Sequence, residues 1–176
     1  MVASEDLTGA VCASLAGLAA HVEAVSAEAY REACVDLSGS TMGAHVRHCL
    51  DHFLTLARGL RTGRFDYDDR DRALDVECDR SCAAALARRL SAELRAGLRA
   101  ADLRRPVDVR TASSPDGEVA WQRSSLGREL QFVIGHTVHH AAMIAASCRG
   151  RGLATAPPFG VAPSTLRHNA DSASSS

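Results

Sequence analysis

Two short segments of this 176-residue chain hold six of its eight histidines. One is Gly43-Ala44-His45-Val46-Arg47-His48, running on to His52; the other is Gly135-His136-Thr137-Val138-His139-His140. Neutral imidazole is a common nitrogen ligand for zinc, nickel and iron. Rings four residues apart on a helix project from one face. A third ring from a facing helix then completes a three-nitrogen site, with positions left open for water or substrate. At about 100° per residue, His140 lies roughly 40° around the axis from His136, and His139 roughly 60° away on the other side. Either could join His136, and spacing by four is the more usual arrangement for one metal. His45, His48 and His52 share a face, and only one of them is needed as a ligand. The others are then free to brace the ligating rings, because such a ring normally donates its remaining N–H to a fixed acceptor. His21 stands alone.

Two carboxylates lie near these stripes. Glu129 is seven residues before His136 and faces the same way, about 10 Å along the axis. It could orient a ligand or carry a proton for a bound substrate, and a salt bridge with Arg47 or Arg128 is the competing reading. Asp51, three residues after His48, either bonds a neighbouring ring or sits on a solvated face. The six cysteines (Cys12, Cys34, Cys49, Cys78, Cys82 and Cys148) contain no C-x-x-C and fall mostly in apolar stretches. Buried free thiols in a reducing compartment account for them. Cys78 and Cys82, one helical turn apart, are the pair that could ligate a metal.

The elements that would position the histidines are helical. Leu7, Val11, Leu15, Leu18, Val22 and Val25 recur at three and four residues, predicting a helix from about Glu5 to Ala29. Thr41 can cap a second helix reaching about Leu60. Residues 61–76 are polar and read as a loop. Asp79 or Ser81 can cap a third helix that runs to about Leu103 and is closed by Pro106. Val107 and Val109 alternate with charged residues, Ser114-Pro115-Asp116-Gly117 is a turn, and Val119 and Trp121 follow, which predicts a short β-hairpin or extended excursion. Ser124 or Ser125 can cap a fourth helix from about Leu126 to Arg149. The expected fold is therefore all-α: an antiparallel four-helix bundle over residues 1–153, carrying the histidines on its second and fourth helices. Residues 154–176 read as an extended Pro-rich tail, with Asp171 to Ser176 lacking fixed structure.

Composition limits the function classes. One domain is all the length allows. Net charge is −1, and the basic residues, all arginine, are scattered, so neither nucleic acid nor a membrane surface is an expected partner. Glu5 and Asp6 stand where a signal peptide carries positive charge, and the apolar run Val11–Ala20 is short for a bilayer span. A cytoplasmic protein acting on a small molecule is the expectation, with homodimerisation through an apolar bundle face as an option.

The strings Thr41-Met42-Gly43-Ala44-His45-Val46-Arg47-His48-Cys49-Leu50-Asp51-His52 and Arg128-Glu129-Leu130-Gln131-Phe132-Val133-Ile134-Gly135-His136-Thr137-Val138-His139-His140 resemble the two signature regions of the DinB-like (DinB/YfiT) superfamily. The resemblance spans about residues 5–150. It implies a four-helix bundle and a divalent transition metal (zinc first, with nickel, iron or manganese as alternatives). By position it assigns His48, His136 and His140 as ligands. His48 is chosen over His45 because Cys49-Leu50-Asp51 follows it much as in the family's H-L-x-D string. His45, His52 and His139 remain supporting or alternative ligands, and Glu129 the candidate catalytic residue. Relatives include metal-dependent transferases and isomerases that use low-molecular-weight thiols such as bacillithiol or mycothiol. The resemblance therefore implies a thiol S-transferase or hydrolase-like enzyme, in which a metal-activated thiolate attacks an electrophile. The alternative is a non-catalytic, stress-associated metal-binding protein whose ion staples the bundle. A di-iron carboxylate site is disfavoured, since no Glu-x-x-His pair is present. The 61–76 loop, the hairpin and the tail depart from the family pattern, and Tyr67, Arg70 and Phe159–Arg167 are candidates for substrate contact.

Overall fold

The computed structural model describes residues 4–69, 73–98, 101–112, 119–156 and 158–174. Four long helices form the bundle: α1 (Ser4–Ala24), α3 (Met42–Thr62), α5 (Arg80–Leu98) and α6 (Leu126–Gly150). Two short helices, α2 (Ala27–Arg31) and α4 (Leu74–Cys78), precede α3 and α5. The principal packing runs α1 against α5 and α6, and α3 against the same two helices. The core between them is aliphatic. Val11, Leu15, Leu18 and Val22 come from α1, Leu50, Phe53 and Leu56 from α3, Leu90, Leu94 and Leu98 from α5, and Leu130, Val133 and Ile144 from α6. Each such side chain contributes roughly 1.5–3 kcal/mol by leaving water.

The caps follow the sequence closely. Thr41 Oγ1 accepts from the Ala44 N–H at 2.9 Å and starts α3; Ser125 Oγ accepts from the Arg128 N–H and starts α6. The predicted first helix, however, is interrupted at Val25. Ser26 is extended there (ψ 156°) and its hydroxyl caps α2 by accepting from Ala29 N–H, so the helical pattern resumes in a new direction. Gly43, in the first turn of α3, fits beneath α4, because an added Cβ would stand 2.0 Å from the Glu77 carbonyl oxygen. That contact anchors the turn just before His45.

Residues 61–76 were expected to form a loop, and they contain a strand. β1 (Arg64–Asp66) pairs in parallel with β2 (Pro106–Arg110), which pairs antiparallel with β3 (Gln122–Ser125). The expected hairpin is thus β2–β3 with a third strand added; its turn, Ser114–Gly117, lies outside the described residues, as does Arg70. β1 closes onto α3 through Phe65, fully buried against the flat back of Gly59.

The tail corrects the expectation of a wholly extended segment. After an irregular stretch, α7 (Pro163–Ser174) forms, with no buried residue in it. Proline at the first helical position supplies a preset φ without losing a needed N–H, which the Pro-rich composition had concealed. The stretch before it is anchored, since Phe159 stacks on His21 with ring centroids 4.1 Å apart. In α1 the stretch Leu7–Ala24 is long and apolar enough to cross a membrane, although the run Val11–Ala20 had looked too short. Its packing against α5 and α6 accounts for that apolarity as bundle core.

Candidate metal centre

α3 and α6 face each other, and their histidines meet in the contact. His48, His136 and His140, each half-buried, present ring nitrogens that all lie within 4.8 Å of one another. His48 Nε2 and His136 Nε2 are 2.9 Å apart. Among the described residues this is the one group of three or more ligand-type side chains that converges. Cys78, exposed at the end of α4, and Cys82, in α5, are not part of it. The remaining four cysteines are buried, and burial pushes the Cys49 thiol up to about 12.

The neighbouring rings have distinct places. His52 is buried, and its Nδ1–H donates to the His48 carbonyl at 2.9 Å. Its ring stacks on His136 at 4.1 Å and on Tyr67 at 5.2 Å, forming one wall of the site. His45 Nδ1 lies 2.9 Å from His140 Nδ1. His139 is exposed and meets only the edge of His140 within the group. Burial, helped by the adjacent His45, His139 and His52 rings, draws His140 down to about 4. Burial and His139 lower His45 as well. Both rings are therefore neutral at pH 7, the form a metal requires. A cleft of about 190 Å³ opens beside the cluster, lined by Ser40, Ala44, His45, Arg47, His48 and His140.

Glu129 is buried, and its partners are not those of the salt-bridge reading. Tyr67 Oη donates to one carboxylate oxygen at 2.9 Å, and Ser124 Oγ to the other at 2.6 Å. Among the described residues no arginine pairs with it. Arg47 instead bonds Asp51 at 3.0 Å and Glu77 at 2.8 Å, which also removes Asp51 from the solvated face assigned to it. Burial, then the Glu129 charge and hydrogen bond, raise Tyr67 far above the ordinary phenol range, so it stays a donor. Tyr67 in turn packs on Phe132, whose ring lies 5.8 Å from His136. The sheet creates this arrangement: Tyr67 follows β1 with its N–H on the Arg110 carbonyl, and Ser124 sits in β3. Sequence reasoning names Tyr67 only as a substrate contact and Ser124 only as an alternative cap for the last helix; neither is read there as a partner of Glu129. Phe159, another proposed contact, lines a separate cavity of about 390 Å³ between α1, α6 and the tail. None of the six clustered histidines borders that cavity.

The donor set fits a metal. Two ring nitrogens facing each other at 2.9 Å need something between them, either a shared proton or a cation. A tetrahedral zinc with Zn–N of about 2.0–2.1 Å spaces its ligands at roughly 3.4 Å, between the 2.9 Å of the His48–His136 pair and the 4.8 Å that bounds the group.

The sequence model of the DinB superfamily matches residues 13–144. The chain belongs to the DinB superfamily. In three dimensions it is similar to YfiT from Bacillus subtilis, described as a probable metal-dependent hydrolase with an unusual four-helix bundle topology. The TM-score is 0.67 over 86% of this chain and 89% of that one, at 18% identity. The likeness establishes the DinB-type bundle. FK506-binding protein 5 of Rhizopus delemar is 34% identical over 103 residues, covering 58% of this DinB chain but only 27% of that protein. The chain thus spans about a quarter of the length of that curated relative.

Proposed function

We propose that this DinB protein is a metal-dependent enzyme that binds one divalent transition ion on His48, His136 and His140 and transfers a low-molecular-weight thiol to an electrophilic small molecule. The observation that carries the reading is the convergence of three histidine ring nitrogens from two facing helices beside an open cleft. Three neutral ligands leave the charge of the ion undiminished, and the chemistry supplied there is Lewis acidity toward a thiol or water. His52, bonded to the His48 backbone and stacked on His136, holds those two rings in register. Tyr67 and Ser124 keep Glu129 aimed from the far end of the same α6 face, where it can take or return a proton through a bound substrate. Hydrolysis is the second reading, favoured by the fold shared with YfiT.

Elemental analysis of the purified protein beside a His136→Ala/His140→Ala variant tests the site. About one equivalent of metal, lost in the variant, supports it; a folded wild type that neither contains nor takes up metal refutes it. Turnover of an electrophile panel with and without added thiol, in wild type and His48→Ala, then separates the readings. Thiol-dependent turnover abolished by the substitution supports transfer, thiol-independent turnover supports hydrolysis, and metal binding without either leaves a structural ion.

A further inference from the structure

The ring nitrogens beyond the three-histidine group carry an inference about His45. His45 Nδ1 and His140 Nδ1 stand 2.9 Å apart, so one of them must bear the proton they share. With Nδ1 engaged by His45, Nε2 is the nitrogen His140 has left to offer an ion. A nitrogen that coordinates a metal cannot also hold a proton, and a neutral imidazole has only one. In the loaded protein His140 therefore carries its proton on Nδ1, and His45 Nδ1 must accept it. The proton of His45 is then confined to Nε2, an atom that is buried and meets no hydrogen-bond partner among the described residues.

We propose that His45 is a positioning residue for the metal centre, accepting a hydrogen bond from His140 Nδ1–H and so fixing the tautomer and ring orientation in which His140 presents Nε2 to the ion. The inference rests on the metal reading of the site. His45 is suited to the task by its place in the chain. It lies in the first turn of α3, where Thr41 caps the helix and Gly43 is seated against the Glu77 carbonyl, so its backbone has little room to shift. It stands outside the group of nitrogens that converge, so it braces a ligand and does not add a fourth. A carboxylate or backbone carbonyl usually takes this part. Here a neutral ring does, which adds no negative charge to the centre. It also leaves one N–H without an acceptor, at the margin of the 190 Å³ cleft that His45 lines.

The test compares wild type, His45→Ala and His45→Gln by zinc titration against a chromophoric chelator, with folding checked by circular dichroism. The expected result is one zinc per chain in all three, with affinity 10- to 100-fold weaker in the alanine variant, the usual effect of removing such a partner. Glutamine, whose side-chain oxygen can accept from His140, should recover part of the loss. Long-range 1H–15N spectra of zinc-loaded wild type give a readout independent of any variant's folding: His45 should be the Nε2–H tautomer and His140 the Nδ1–H tautomer. An Nδ1–H tautomer at His45 overturns the proposal. So does unchanged affinity in His45→Ala, and so does loss of the bound zinc itself, which would make His45 a ligand. Wild type that takes up no zinc overturns the metal reading and this inference together, whereas normal zinc binding with an unaffected alanine variant overturns this inference alone.

Discussion

Acid should destabilise the protein through His21, and the amount can be worked out. His21 is 3% exposed, covered by Phe159 on one face, with the Cys148 thiol 3.9 Å from Nε2. Burial lowers its pKa from 6.5 to about 4. The unfolded chain therefore binds a proton at His21 between pH 6.5 and 4 that the folded chain does not. The sign follows: stability from this group is fully present above about pH 6.5 and is lost as pH falls toward 4. Linkage gives a loss of about 0.2 kcal/mol at pH 7, about 2 kcal/mol at pH 5 and about 3 kcal/mol at pH 4. Urea unfolding of metal-free wild type and His21→Leu at pH 7 and pH 5 isolates the term, because the other titrating groups are common to both. Leucine loses the stack on Phe159 and is expected to lower stability at pH 7, but its drop between the two pH values should be smaller by about 2 kcal/mol. Drops that agree within about 0.5 kcal/mol would show that His21 is not held neutral by burial and would refute the reasoning.

Tyr67→Phe removes one of the two hydroxyls that solvate the buried Glu129 carboxylate, and should cost about 1–3 kcal/mol in urea unfolding while leaving metal stoichiometry at its wild-type value. A variant as stable as wild type would mean that the Tyr67 hydroxyl does not sustain Glu129 in this pocket. Gly59→Ala places a methyl 2.4 Å from the Phe65 ring, which is fully buried between β1 and α3. Overpacking there should cost about 1–3 kcal/mol, more than offsetting the roughly 1 kcal/mol that alanine normally gains over glycine in a helix, and a stabilised variant would contradict the described strand.

How much was legible in the sequence depended on whether the information was local. The histidine stripes could be read because a helix maps spacing directly onto a face, and Thr41 and Ser125 because a cap is a contact with the next turn. β1 could not be read. Its three residues have no pattern of their own, and their partner, Val109 and its neighbours, lies more than forty residues away. The environment of Glu129 was hidden for the same reason, since both donors reach it through that sheet. The break at Val25 was missed because the apolar repeat continues through Val25 while the backbone turns at Ser26. α7 was missed because proline counts against a helix except at its first turn. Among the rings, periodicity left His45, His48 and His52 equivalent, and only the position of α6 against α3 separates the one that converges with His136 and His140 from the two beside it.

The same geometry bears on whether an ion here would staple the bundle or serve chemistry. Structural sites are closed by protein ligands on all sides, whereas sites that act on substrates leave a position open. Here three rings converge from two helices only, all three are only partly buried, and a cleft adjoins them. Nor does the bundle need an ion to join α3 to α6. Leu50, Phe53 and Leu56 on one helix and Leu130 and Val133 on the other are already fully buried without it. Five such side chains contribute roughly 7–15 kcal/mol of gross apolar burial. Three partly buried imidazoles from two helices, with a cleft beside them, therefore favour the proposed open site over a closed structural one.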